Sequence, residues 1–293
     1  MLSVPTVMIC VGAAKAGTSW FYDYLRGHPE CALRSVKELH YFDALELNEG
    51  WVQGALDRDL AEAKRVLAQE AGQPQADKVA RVRDLEDLCA LLKSGAVDEA
   101  AYLAYLKNGQ NGAALVADVT PAYSLLGEER LQRMATMAPD VRFVFLMRDP
   151  LSRLWSHVRM VARNTLKPGE DLTKAARRLL TRVVRHGEES HIVARGDYPA
   201  IVQKLRAAIP AEKLNIVFLE ELLSEKGLRQ MCAFLGLTYA EGQFTRPVHV
   251  GEDIKMNKQQ KLEAQAYLAP HYAFVKDSFG YVPDAWSENM VGI

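Results

Sequence analysis

The sequence predicts an α/β fold in which a central parallel sheet is flanked by helices and carries a helical insertion. Three observations predict it. The stretch Thr6–Gly12 (TVMICVG) is a continuous apolar run that breaks into a turn of small residues and then into a helical pattern, as expected of a strand buried on both faces. Comparable runs recur at 114–119, 141–147 and 214–219, with helical patterns between them, and such alternation builds a parallel sheet covered on both sides. The chain has 293 residues, 49% of them hydrophobic and 25% charged, which is enough to bury a sizeable core without staples. It reads as a single domain over 1–293.

The elements follow in order. After the first strand and the turn at 13–17, Thr18-Ser19 offers a helix cap, and Trp20, Phe21, Tyr24 and Leu25 give the helix its apolar face. His28-Pro29 ends that helix. Residues 48–110 are rich in Ala, Glu, Asp, Lys and Arg and are broken at Gly72-Gln73-Pro74. They read as a helical insertion between the first and second sheet strands. Beyond the strand at 141–147, Leu151, Leu154, Trp155, Val158 and Val161 share one helical face, as do Tyr198, Ile201, Leu205 and Ile209. A last helix is predicted over 258–279.

Composition narrows the function. A formal net charge of −1 gives no global field toward nucleic acid or anionic lipid, so any bound anion must be held by local donors. Cys10, Cys31, Cys89 and Cys232 are scattered without a C-x-x-C pair, which argues against a disulfide framework or zinc site and for a reducing, cytoplasmic setting. The histidines show no metal-ligand spacing. No apolar run approaches the roughly 18 residues of a membrane span. The N-terminal run has no basic residue before it and ends in a glycine turn, so it reads as a strand rather than a signal sequence.

Two segments carry the features of an anion site. Gly12-Ala13-Ala14-Lys15-Ala16-Gly17-Thr18-Ser19 joins a buried strand to a helix N-terminus, where backbone N–H groups and the helix dipole favour negative charge. Its glycine spacing fits the nucleotide-binding pattern G-x-x-x-x-G-K-[ST], but position 18 is threonine and the lysine lies inside the loop, which counts against a Mg-nucleotide site. The second segment is Arg148-Asp149-Pro150, with Ser152, Ser156, Arg159 and Arg163 on the polar face of the next helix. Arg148 stands at the carboxyl end of a strand, where ligands of open α/β sheets bind, and a guanidinium with a hydroxyl suits a phosphate. Asp149 offers an alternative in which it neutralises Arg148 or Arg153.

Together these segments resemble the sulfotransferases that use 3′-phosphoadenosine-5′-phosphosulfate (PAPS), a P-loop-like α/β family. Lys15–Ser19 is similar to the family's 5′-phosphosulfate loop, P-K-[ST]-G-T-[ST]-W, with Ala14 in place of proline. Arg148 and Ser156, eight residues apart, are similar to its 3′-phosphate motif. Ser35–Asp43 (SVKELHYFD) resembles the K-E-x-H-F-F-D segment of bacterial members and of the heparan sulfate branch, and Thr120-Pro121-Ala122-Tyr123 resembles their T-P-A-Y turn. Arg195-Gly196-Asp197-Tyr198 and Cys232–Gly236 extend the match. Val119 stands where the heparan sulfate branch has a lysine, which speaks against a polysaccharide acceptor.

The resemblance implies PAPS as cosubstrate and no metal. It implies cofactor contacts at Lys15, Ala16, Gly17, Thr18, Ser19, Trp20, Arg148 and Ser156, although Trp20, like Trp155, also suits the core. It further implies that Glu38 takes a proton from an acceptor hydroxyl or amine while Lys15 steadies the leaving phosphate. His40 is the rival base, and if residues 37–40 are strand-like, Glu38 and His40 point the same way. Alternatively Glu38 pairs with Lys37 or Arg34. His249, Lys255 and Lys258 near Gly251 offer a basic flap over the nucleotide, or a solvated loop. The insertion is expected to shape the acceptor pocket. A homodimer is compatible with this reading, and the rival functions are a Mg-ATP kinase or a non-catalytic nucleotide-binding protein.

Overall fold

A computed structural model describes residues 4–47, 50–69, 75–109, 112–244 and 254–290. Its sheet consists of β1 (Thr6–Gly12), β2 (Cys31–Ala32), β3 (Leu115–Val119), β4 (Val141–Met147) and β5 (Leu214–Phe218), in the order β2-β3-β1-β4-β5. Every pairing is parallel. Residues 7–11 of β1 are wholly buried, as a central strand covered by helices on both faces requires. The sequence reading missed β2, whose two residues are too few to show any periodicity.

The helices are α1 (Thr18–Gly27), α2 (Tyr41–Glu46), α3 (Trp51–Ala68), α4 (Ala76–Leu92), α5 (Glu99–Lys107), α6 (Glu128–Thr136), α7 (Pro150–Asn164), α8 (Leu172–His186), α9 (Ser190–Ala194), α10 (Tyr198–Ala208), α11 (Leu219–Leu222), α12 (Glu225–Leu235) and α13 (Lys258–Phe279). The helix expected over 258–279 has those bounds. The insertion supplies α3, α4 and α5, and it lies between β2 and β3. The break expected at Gly72-Gln73-Pro74 lies outside the described residues. Among those residues no helix is long and apolar enough to cross a membrane.

Strand order locates the site. From β1 the chain leaves toward β2 and β3, whereas from β4 it leaves toward β5 on the other side. Adjacent parallel strands whose connections diverge open a crevice at their carboxyl ends. Here those strands are β1 and β4, paired Cys10 to Val144 and Gly12 to Phe145. The crevice therefore falls between the loop that follows Gly12 and the turn at Arg148.

Candidate active site at the ends of the first and fourth strands

The loop after β1 is shaped by close packing. Gly12 lies so near Phe145 that a Cβ would come within 2.8 Å of its ring, and at Gly17 (φ 86°) a Cβ would come within 2.4 Å of Leu219. Gly17, rather than Thr18 or Ser19, is the N-cap of α1, and no side chain caps that helix. Its first N–H groups are thus available to an anion. Lys15 takes the left-handed conformation at φ 68°, which is uncommon for a residue with a side chain.

Arg148 meets this loop directly. Its Nη1 donates to the Lys15 carbonyl at 3.3 Å. Tyr198 holds the Arg148 backbone from the other side, accepting from its N–H at 3.0 Å and donating to its carbonyl at 2.7 Å. The Lys15 ammonium reaches α7, where Nζ lies 3.6 Å from Met160 Sδ, one helical turn beyond Ser156. Ser156 is half-buried and belongs to the same polar face as Ser152, Arg159 and Arg163. The structure thus brings Lys15, Arg148 and α7 around one crevice.

Asp149 does not neutralise these cations. It caps α7 by accepting from the Ser152 N–H at 2.7 Å. It also accepts from Tyr272 Oη at 2.6 Å and Asn289 Nδ2 at 2.9 Å. Among the described residues neither Lys15 nor Arg148 forms an ion pair with a carboxylate. Burial holds the Lys15 ammonium below its ordinary value; Glu38 opposes this, while Lys37, Arg148 and Arg159 reinforce it. A buried lysine among cations is a setting that an added anion would relieve.

Trp20 packs as a core residue. Its ring stacks between Tyr24 (5.8 Å) and Phe244 (6.2 Å), and Nε1 donates to the Gln243 carbonyl at 3.0 Å. Trp155 is likewise buried and donates to the Ile254 carbonyl at 2.9 Å. Of the expected flap, His249 and Gly251 lie outside the described residues, and Lys255 and Lys258 are exposed.

The segment carrying Glu38 and His40 is not a strand. Both residues are left-handed, with φ of 60° and 51°, so a turn rather than strand alternation brings them together. Left-handed residues other than glycine cluster where the surrounding structure over-determines the backbone. Here the surroundings are a buried network. The Tyr41 N–H donates to Tyr123 Oη at 3.1 Å. Tyr123 Oη in turn donates to Asp118 at 2.8 Å, and Asp118 also accepts from Tyr102 at 2.8 Å and Thr120 at 2.6 Å. The turn at 120–123 therefore fixes the backbone beside His40, and Tyr102 ties α5 of the insertion to β3.

His40 sits between two carboxylates. Its Nδ1 is 2.7 Å from Oδ2 of the fully buried Asp43, and its Nε2 is 3.7 Å from Glu38 Oε2. Burial works against the imidazolium, but the hydrogen bonds and charges of Asp43 and Glu38 outweigh it and raise His40 to about 9. Glu38 shows the converse balance. Burial pushes its carboxyl up, whereas the His40 hydrogen bond and the Lys37 ammonium hold it down at about 2. The Lys37–Glu38 ion pair is present, so the pairing considered from sequence occurs alongside the approach to His40. Glu38 still keeps 38% of its side-chain surface exposed.

Asp43, Tyr123 and Tyr198 are positioning residues that sequence reasoning did not assign. The available signals were the matched segments that contain them, 35–43, 120–123 and 195–198, and the three-residue spacing of His40 and Asp43 at a helix start. Among the described residues no group of three or more His, Cys, Asp or Glu side chains is arranged to hold a metal ion.

The fold and this site define a parallel α/β protein with a glycine-bounded loop and a helix N-terminus at its topological switch point. The chain belongs to the sulfotransferase family, whose sequence model matches residues 5–241. Its fold is similar to that of a sulfotransferase from Alicyclobacillus acidocaldarius, with 20% identity, a TM-score of 0.62, and coverage of 97% of this chain and 99% of that one. It is also similar to the sulfotransferase domain of the Synechococcus PCC 7002 olefin synthase, with 16% identity, a TM-score of 0.51 and 95% of each chain covered. No curated protein sequence is significantly similar.

Proposed function

We propose that this sulfotransferase uses PAPS as donor and that Glu38 accepts the proton of the acceptor hydroxyl or amine. The observation that carries the reading is the convergence of Lys15 and Arg148, joined at 3.3 Å and engaged by no carboxylate among the described residues. The 5′-phosphosulfate would lie on residues 15–19 at the N-terminus of α1, and the 3′-phosphate on Arg148 and Ser156. When bound, PAPS supplies the sulfuryl group and a phosphate leaving group. Lys15 steadies charge that grows on the leaving oxygen, in a site already organised for it. Arg148 and Tyr198 fix the register of the nucleotide relative to the loop.

Glu38 is ionised across the physiological range. Its low basicity suits proton transfer that follows bond formation, when the acceptor oxygen has become acidic. His40, protonated at neutral pH, is a hydrogen-bond donor there and not a proton acceptor. It orients Glu38 and is itself oriented by Asp43.

A Mg-ATP kinase is disfavoured by the loop, since Thr18 stands where that pattern needs lysine. The two readings part on cosubstrate. Release of 3′,5′-bisphosphoadenosine from PAPS, with an acceptor present, should be insensitive to EDTA, and ATP with magnesium should not replace PAPS. Turnover that required Mg-ATP would overturn the proposal.

A further inference from the structure

A cavity of about 270 Å³ opens directly off Glu38 and His40, and its opposite wall is α3 of the insertion. Val52, Ala55 and Leu56 face it from one side of that helix, at the spacing that makes an apolar stripe. Trp51 flanks it, with its ring edge-on to His40 at 5.0 Å and 55% of its surface exposed. We propose that the acceptor is a neutral alcohol or phenol whose hydroxyl is carried on an apolar body seated against this stripe. The proposal rests on Glu38 being the proton acceptor, since that places the reacting hydroxyl at the cavity floor.

Charge and size both point to this class. The charged groups bordering the cavity are already matched. Lys37 pairs with Glu38, His40 lies between Asp43 and Glu38, and Arg81 is held by the Ser35 carbonyl at 2.5 Å with Asp59 at 3.9 Å. An anionic acceptor would find each of these cations with a carboxylate already beside it. A sugar would turn hydroxyls toward Val52 and Leu56, where they find no partner, whereas an apolar body loses nothing there. The volume of about 270 Å³ lies just below the usual range of small-molecule pockets, roughly 300–1,000 Å³, and so fits a small acceptor. Beyond Asp59 and Arg81 the apolar wall ends, and a second, larger groove lined largely by charged side chains begins.

The test is calorimetric titration of 2-naphthol and of chitobiose into protein saturated with 3′,5′-bisphosphoadenosine, for wild type, Ala55→Arg and Trp51→Ala. Wild type should bind 2-naphthol more tightly than chitobiose. Ala55→Arg, which puts a charge against the stripe, should weaken 2-naphthol by about tenfold or more. Trp51→Ala should weaken it by roughly three- to tenfold. Bisphosphoadenosine affinity should be unchanged in both variants, which also shows that they fold. Tighter binding of chitobiose, or 2-naphthol affinity unaffected by both substitutions, would overturn the proposal. Failure of wild type to bind bisphosphoadenosine would instead overturn the donor-site reading, and 2-naphthol titrated into nucleotide-free protein would still decide the acceptor class.

Discussion

Arg148 donates from Nη1 to the main-chain carbonyl of Lys15 at 3.3 Å, so the cations at the ends of β4 and β1 are fixed against each other through backbone. Neighbouring cations ordinarily repel, and the β1–β4 pairing, with this contact added to it, holds the two within one crevice. The contact orients the guanidinium while leaving its charge uncompensated. Asp149, the nearest carboxylate in sequence, is engaged by Ser152, Tyr272 and Asn289. The consequences can be tested group by group.

Glu38→Gln should abolish sulfuryl transfer, with a loss of roughly 10²–10⁴ in turnover, and should leave bisphosphoadenosine affinity nearly intact. His40→Ala should reduce turnover less, because in the proposed mechanism His40 orients the carboxylate and does not accept the proton. Steady-state rates with PAPS would check this. A dead His40→Ala beside an active Glu38→Gln would exchange the two roles.

The His40 pairings should also appear in stability. His40 is raised to about 9 from an ordinary 6.5, so its contribution is fully present below pH 6.5 and is lost as pH rises through about 9. Glu38 is lowered to about 2 from 4.5, so its contribution is present above pH 4.5 and is lost as pH falls through about 2. The stability gap between wild type and His40→Ala should therefore be widest near pH 5–6 and close above pH 9. The His40 shift corresponds to roughly 3 kcal/mol at most. Urea denaturation across that pH range would measure it. A gap that did not change with pH would mean that His40 contributes by packing alone.

Lys15 should take up a proton when the nucleotide binds. Burial and surrounding cations lower its ammonium in the free protein, and a bound phosphate favours the charged form. At alkaline pH, below the ordinary lysine value, binding enthalpies measured in buffers of different ionisation heat should reveal net proton uptake. Lys15→Met should abolish that uptake. Equal uptake in the variant would assign the proton elsewhere.

Much of this was legible in the sequence, because the signals involved are local. Long apolar runs marked four of the five strands, and 258–279 marked the last helix. The small residues from Gly12 to Gly17 and the position of Arg148 at a strand end marked the crevice. What the sequence could not show depends on contacts between distant segments. The role of Asp149 is set by Tyr272 and Asn289, more than 120 residues away. The turn at Glu38 and His40 is held by Tyr123, which acts through the Tyr41 N–H. Strand alternation was the wrong model for residues 37–40 because that tertiary network imposes a left-handed backbone on them. The N-cap falls at Gly17 rather than at Thr18-Ser19, since the chain enters the helix through a left-handed residue (φ 86°) packed against Leu219.

The donor site is tested most directly by calorimetry of 3′,5′-bisphosphoadenosine and AMP on wild type and Arg148→Ala. The two nucleotides share the adenosine and 5′-phosphate and differ in the 3′-phosphate that Arg148 and Ser156 would hold. Wild type should prefer the bisphosphate by about 1.5–3 kcal/mol, the cost of losing a charge-assisted contact, which corresponds to roughly ten- to a hundredfold in Kd. Arg148→Ala should lose most of that preference while binding AMP nearly as wild type does. Equal affinity of wild type for both nucleotides would contradict the assignment of PAPS as donor.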